Sequence, residues 1–201
     1  MRKGFISLFF LLSLLQVCPS AGGQITQSPV SAVNIVSTQI SEPAPKPVPG
    51  VSAKDAYEKW KDEPDKLIII DCRTPEEYVY VGHASMAHNI PSQFMEHVWD
   101  ENKKEYRMRD NPNFVEMVKS KFKLDDAIFV MCRSGGRSTL SARKLTEAGF
   151  TNVVNIMDGF EGALVRDPES YFDGKRLRNG WKNSGAPWTY GLKPRLIFRA
   201  D

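Results

Sequence analysis

Two uninterrupted apolar runs, LIIID at residues 67–71 and AIFVMC at residues 127–132, limit what this chain can become. A strand without polar alternation has no face to give to water, so it must be covered on both sides, as in a parallel sheet. A helix signal follows each run. Thr74 reads as an N-cap, Pro75 suits the first turn and Glu77 closes the capping box, for a short helix that ends at Gly82. After Cys132, the stretch RSGG opens into a helix over residues 137–150, in which Leu140, Ala142, Leu145 and Ala148 share a broad face and Gly149 is the stop. Ser52 and Asp55 cap an earlier helix, with Ala56 and Trp60 on one side, and a third strand covers residues 152–156. Strands alternating with helices make an α/β domain, and right-handed crossovers place helices on both faces of its parallel sheet.

The N-terminal part reads differently. Arg2 and Lys3, an apolar stretch over residues 5–17 and small residues at 20–23 have the plan of a secretion signal. The stretch is short for a permanent membrane span, and its contiguous Leu8 to Leu12 leave no polar face for packing on a domain. Cleavage near Ala21 or Gly23 is one outcome; lipidation at Cys18, after a faint lipobox whose Val17 is bulky, is the other. Both export the chain, to a bacterial periplasm, with no membrane span in the mature protein. Residues 24–50, with prolines at 43, 45, 47 and 49, read as a disordered Ser/Pro-rich linker. The domain follows at residues 51–165, then an extension at 166–201 that packs on it through aromatics such as Trp181, Trp188 and Tyr190.

Loss of residues 1–23 leaves 25 basic against 24 acidic residues, a net charge of +1 that gives no case for a nucleic-acid partner. His83, His88 and His97 have no metal-ligand spacing. Residues 92–124 are mostly polar around one helix at 113–122, striped by Phe114, Val115, Val118 and Phe122. They read as a lid or partner surface, their lysines and arginines as a solvated face.

The chemistry concentrates in VMCRSGGRS, residues 130–138. Cys132 ends a strand just before a helix, where open α/β sheets place their sites. Gly135 and Gly136 accept the dihedrals of a tight cradle, so that the N–H groups of residues 133–138 converge on one point. The helix N-terminus and the charges of Arg133 and Arg137 add to this field. Each effect favours a thiolate at Cys132. A plain strand–turn–helix connection would also use such glycines.

The rest of the chain bears on that choice. Asp71-x-Arg73, Glu77-Tyr78, Gly82-His83 and Asn89-Ile90-Pro91, followed by VMCRSGGRS, resemble the two signatures of the rhodanese family of sulfurtransferases, over residues 51–164. The resemblance implies a five-stranded parallel sheet with helices on both faces, and a persulfide carried on Cys132. It implies an outer sulfur cradled by the amides of Arg133, Ser134, Gly135, Gly136, Arg137 and Ser138. A small anionic donor of the thiosulfate kind, a thiol or cyanide-like acceptor and the absence of any cofactor or metal also follow. Asp71 and Arg73 hold the loops around the site, Glu77 and His83 have structural roles, and the loop Asp158-Gly159-Phe160 lines the mouth. Cell-cycle phosphatases of the same fold place five residues between cysteine and arginine; the four here suit a single sulfur better. Those phosphatases also carry a cysteine in Asp-Cys-Arg, as Cys72 is here. Cys72 is then either a resolving thiol for a Cys132 disulfide, serving a redox carrier and a periplasmic redox partner, or a small buried hydrophobe. A non-catalytic interaction module would lack the cysteine or reverse the loop's charge, and neither change is present.

Overall fold

Alternate side chains of the two apolar runs leave the sheet on opposite sides, and each side meets helices. The computed structural model describes residues 47–200; the readings on the secretion signal, Cys18 and the linker up to residue 46 lie outside the described residues. Strand β1 (Gly50–Val51) leads into α1 (Ala53–Asp62), where Ser52 Oγ accepts from the Asp55 amide as the cap. Then come β2 (Leu67–Asp71), α2 (Pro75–Tyr80) and the short strands β3 (His83–Ala84) and β4 (His88–Asn89). Thr74 and Glu77 form the reciprocal capping box of α2. A hairpin of β5 (Gln93–Asp100) and β6 (Glu105–Asp110) precedes α3 (Phe114–Lys119). After these follow β7 (Ala127–Met131), α4 (Gly136–Glu147) and β8 (Val153–Ile156).

The main sheet has the order β1-β8-β7-β2-β4, and every pairing in it is parallel. Ile70, Ile128 and Val130 point toward Phe114 and Val118 of α3 and Ala142 and Leu145 of α4. Ile69, Phe129 and Met131 point the other way, toward Ala53 and Ala56 of α1, Phe160 and Trp181. Because β7 lies at the centre, the chain leaves it at the middle of the sheet's carboxyl edge, where Cys132 stands.

Three readings change. Residues 93–110, read from sequence only as mostly polar, form an antiparallel hairpin, with Phe94 opposite Arg109 and Met95 opposite Met108. Leu140 is 56% exposed, while Ala142 and Leu145 alone of its expected face are buried. A face drawn from helical period alone is wider than the stripe that meets the sheet. Gly50 already belongs to β1, and the Pro49 carbonyl accepts from the Asn155 amide at 2.8 Å, so the last linker residues join the sheet.

The extension wraps back on the domain. The pair β9 (Ala163–Leu164) and β10 (Arg176–Arg178) is antiparallel, and β11 (Trp188–Thr189) pairs with β3. Trp181 is fully buried, and its indole N–H donates to the Pro187 carbonyl at 3.0 Å. The Asn89 amide reaches the Leu196 carbonyl at 2.7 Å. Tyr190, in contrast, is 57% exposed and touches only the edge of Trp188 as an aromatic neighbour, so it is no buried anchor. Among the described residues no helix is long and apolar enough to cross a membrane. Trp181→Ala should cost about 3–5 kcal/mol, the usual range for emptying a buried tryptophan site. Denaturant unfolding of the two proteins measures it, and a cost under about 1 kcal/mol would mean that the extension is not part of the cooperative fold.

Candidate active site

Strand β7 ends at Met131, and the chain turns at once because Gly135 has φ +96°, a left-handed backbone that suits glycine. A Cβ there would also lie 1.9 Å from the Met157 carbonyl oxygen, so no larger residue fits. Gly136 is different. It is the first residue of α4, its φ is not positive, and a Cβ would meet nothing within 4 Å. Only one of the two loop glycines is needed for the turn.

The turn directs polar hydrogens at the sulfur. The Gly135 amide donates to Cys132 Sγ at 3.2 Å, and the Ser138 hydroxyl lies 3.4 Å from it. That hydroxyl is also 3.0 Å from the Gly135 carbonyl, so its single proton serves one acceptor at a time. Cys132 is 2% exposed, and burial alone would hold its thiol protonated. The neighbouring Cys72 thiol is the largest influence on it, greater than burial, and favours the thiolate. With the Ser138 hydroxyl and the Ser138 and Ser134 amides, it brings the Cys132 pKa down to about 5. Cys72 moves the opposite way: burial, then the neighbouring Cys132, push its thiol well above the usual range. One sulfur keeps its proton and the other gives it up. Both cysteines are free thiols.

The loop is braced from below. The Phe160 amide donates to the Cys132 carbonyl at 2.7 Å and the Glu161 amide to the Arg133 carbonyl at 2.9 Å. Gly159 permits this approach, since a Cβ there would fall 2.5 Å from the Cys132 oxygen. Asp71 and Arg73, both fully buried, form an ion pair in which Arg73 Nε and Nη2 donate to the carboxylate at 2.9 and 2.6 Å. Nη2 also reaches the Gly82 carbonyl at 2.8 Å. Neither side chain is a hydrogen-bond partner of Cys132.

The two arginines of the loop separate. Arg133 is exposed, whereas Arg137 is half-buried and grips Glu77 with both Nη atoms at 2.6 Å. Burial alone would raise the Glu77 carboxyl; the hydrogen bond and charge of Arg137, with the Thr74 amide, hold it below the ordinary carboxylate range. The Arg137 charge is therefore mostly answered before any anion arrives. His83 is buried, stacked at 3.7 Å on Tyr78, with Nδ1 3.0 Å from the Tyr78 carbonyl. His88 packs edge-on against Phe122, and His97 lies on the hairpin. Among the described residues no three of His, Cys, Asp and Glu gather as a metal site would require.

The hairpin adds residues that sequence reasoning missed. Met95, Tyr106 and Met108 line a cavity of about 270 Å³ with Glu77, Arg133 and Arg137. The alternation of Tyr106 and Met108 with Glu105, Arg107 and Arg109 is a strand signal that could have found them.

Comparison with known proteins places the fold in a family. A family model for the rhodanese-like domain matches residues 52–164. The chain is 42% identical over 91 residues to thiosulfate sulfurtransferase 16, chloroplastic, of Arabidopsis thaliana, covering 45% of this chain and 68% of that protein. It is 31% identical over 126 residues to the RP600 homolog of Rickettsia rickettsii, 63% of this chain and 85% of that one. Among solved structures, Rv0390 from M. tuberculosis is 30% identical with a TM-score of 0.53, across 73% of this chain and all (100%) of that one.

The Cys132 thiolate fraction should fall only as pH drops through about 5, rather than through the usual cysteine range. A hydrogen bond to a charged group is worth about 1.5–3 kcal/mol. Cys72→Ala should thus raise the midpoint by roughly one to two pH units at about 1.36 kcal/mol each. The rate of iodoacetamide alkylation at Cys132 against pH reads both; an unmoved midpoint in the variant removes Cys72 as the donor.

Proposed function

This chain belongs to the rhodanese-like family, and on that footing we propose that it transfers sulfane sulfur through a persulfide on Cys132. Membership, with a thiosulfate sulfurtransferase among the relatives, supports sulfur transfer in general. The observation that carries the finer reading is the Cys132 sulfur facing the Gly135 amide and the Ser138 hydroxyl, surroundings that favour its thiolate. In the first half-reaction the thiolate attacks the outer sulfur of thiosulfate. The new S–S bond forms on Cys132, the donor's own S–S bond breaks, and sulfite departs with the electron pair. In the second, an acceptor such as cyanide attacks the outer sulfur, leaves as thiocyanate, and returns Cys132 to the thiolate. Charge and electrons balance in both steps without a metal or redox cofactor.

The amides of residues 133–138 serve the outer sulfur in the same manner in which oxyanion donors serve developing charge. Arg133, exposed at the loop, draws the anionic donor, while Arg137 and Glu77 hold the loop against α2. Asp71 and Arg73 position the loop from beneath. The signal reading of residues 1–23 puts this chemistry outside the cytoplasm, in the periplasm of a bacterial cell.

Wild type should form thiocyanate from thiosulfate and cyanide, and Cys132→Ser should form none above background. Gly135→Ala, whose Cβ would push the loop off Met157, should lose at least about 100-fold, the scale of a misplaced reacting group, while Gly136→Ala keeps most of its rate. A wild type no faster than the serine variant would remove the transferase reading.

A second reading is favoured by the Cys72 thiol beside Cys132. Cys72 could attack the inner sulfur of the persulfide, closing a Cys72–Cys132 disulfide and expelling hydrosulfide. Sulfur speciation on the persulfide-loaded protein tests it: the reading requires the Cys72 thiol and the Cys132 persulfide to vanish together as one hydrosulfide appears.

A further inference from the structure

The strand pair β9–β10 lies beyond the catalytic loop in sequence but beside it in space. Between this pair and the loop is a cavity of about 710 Å³, whose wall includes Ser134, Asp158, Arg166, Arg176 and Arg178. Ser134 lies in the loop after Cys132, directly before Gly135, whose amide donates to that sulfur at 3.2 Å. The cavity thus begins one residue away from the cradle's interior.

Three arginines face one carboxylate, so its wall keeps a net positive charge. Asp158 is the one acidic residue on its wall among the described residues, and both its oxygens are already engaged. Oδ1 accepts from the Ala53 amide at 2.7 Å and Oδ2 from the Gly180 amide at 2.8 Å. None of the three arginines enters an ion pair among the described residues. Arg176 is half-buried and donates through Nη1 to the Gly162 carbonyl at 2.6 Å, while Arg166 and Arg178 are exposed. The wall is also fixed in place. A Cβ on Gly162 would sit 2.3 Å from the Arg178 and Asn179 carbonyl oxygens, and Asn183 Nδ2 ties Glu161 to Asn179 at 3.0 and 2.8 Å. Guanidinium groups on a rigid frame suit carboxylate, sulfonate or phosphate oxygens.

Size decides which anion. Cavities of roughly 300–1,000 Å³ hold whole organic ligands. Thiosulfate would fill little of this space, and it needs only the cradle itself. We infer that the C-terminal extension builds, beside the Cys132 loop, a site for an organic acceptor thiol that carries two or more anionic groups, held by Arg166, Arg176 and Arg178. The inference rests on sulfur transfer through Cys132. The bound thiolate attacks the outer sulfur of the Cys132 persulfide. A new S–S bond forms on the acceptor, the bond to Cys132 breaks, and Cys132 leaves as the thiolate, so neither an oxidant nor a reductant is consumed.

The test uses the full chain and the double variant Arg166→Ala/Arg178→Ala, with Arg176 retained because it pins the wall. Both are loaded from thiosulfate, checked by intact mass, and discharged with either mercaptosuccinate, a dicarboxylate, or neutral 2-mercaptoethanol. The variant should load normally and discharge to mercaptosuccinate at least about tenfold more slowly, with 2-mercaptoethanol changed less than about twofold. Calorimetric titration with citrate, which carries no thiol, should show binding at least about tenfold weaker in the variant. Equal citrate binding overturns the site. Unequal citrate binding with equal mercaptosuccinate discharge overturns its use by an acceptor. Should wild type fail to load sulfur, the transfer reading falls, and citrate still decides whether the anion site exists.

Discussion

A guanidinium with no solvent exposure holds the carboxyl edge of this sheet together. Arg73 is paired with Asp71 within one turn of chain, and the same Nη2 reaches the end of α2 at the Gly82 carbonyl. Its Cζ lies 4.2 Å from the ring centre of Phe160, whose amide supports the Cys132 carbonyl. Asn89 Nδ2 closes the knot by donating to the carbonyls of Asp71 and Arg73 at 3.1 and 3.0 Å. One buried charge therefore connects the ends of β2 and β4, α2 and the loop after β8 to the floor of the candidate site. A buried pair of this kind adds little net stability against an apolar substitute, but losing one partner strands a charge and typically costs about 3–5 kcal/mol. Its value here is positional, because a fixed floor is what lets a short loop keep its amides aimed.

The loop above that floor stabilises its thiolate mainly with dipoles and a neighbouring S–H rather than with a full positive charge. Arg137 is committed to Glu77, and Arg133 extends into solvent. This suits a cysteine that acts first as nucleophile and then as leaving group. A thiol with a low pKa leaves faster, though each thiolate attacks less strongly as its pKa falls. With a pKa of about 5, Cys132 is almost wholly ionised at neutral pH, so the population gained offsets part of the nucleophilicity lost. An immobile guanidinium at the sulfur would bind the thiolate too tightly to release it into attack.

The sheet was legible in the sequence because LIIID and AIFVMC lack any polar alternation, and α2 because Thr74, Pro75 and Glu77 fill a capping box that works locally. The turn of the candidate site was legible because glycine, arginine and serine follow a strand-ending cysteine. What sequence hid depends on register or on distant partners. The resemblance already set Cys72 near Cys132, but their common level comes from Asp71 lying opposite Met131, which brings the next residue of each strand together on the α4 face. That register cannot be read from either run alone. Arg137 and Glu77 are 60 residues apart, so the neutralising of a loop arginine was invisible. The hairpin's alternation was present but half-charged on its exposed side, and it was absorbed into a polar segment. Arg166, Arg176 and Arg178 gain meaning only when β10 returns beside β9.

The Cys72 proton sets the order in which its two proposed roles could operate. As donor, Cys72 must keep its hydrogen, and its burial ensures that it does so over the neutral range. As resolving thiol it must lose that hydrogen, since the thiolate is the attacking form. An acceptor thiolate arriving from solvent faces no such burial penalty, which on the proposed mechanism favours discharge to the acceptor over disulfide closure when acceptor is abundant. Closure then belongs to the starved or oxidised protein. On this reading the internal disulfide protects the nucleophile from further oxidation instead of forming a step of each turnover. On the two proposed roles, the same buried thiol would lower the Cys132 pKa while the cycle runs and would cover Cys132 when the cycle stops.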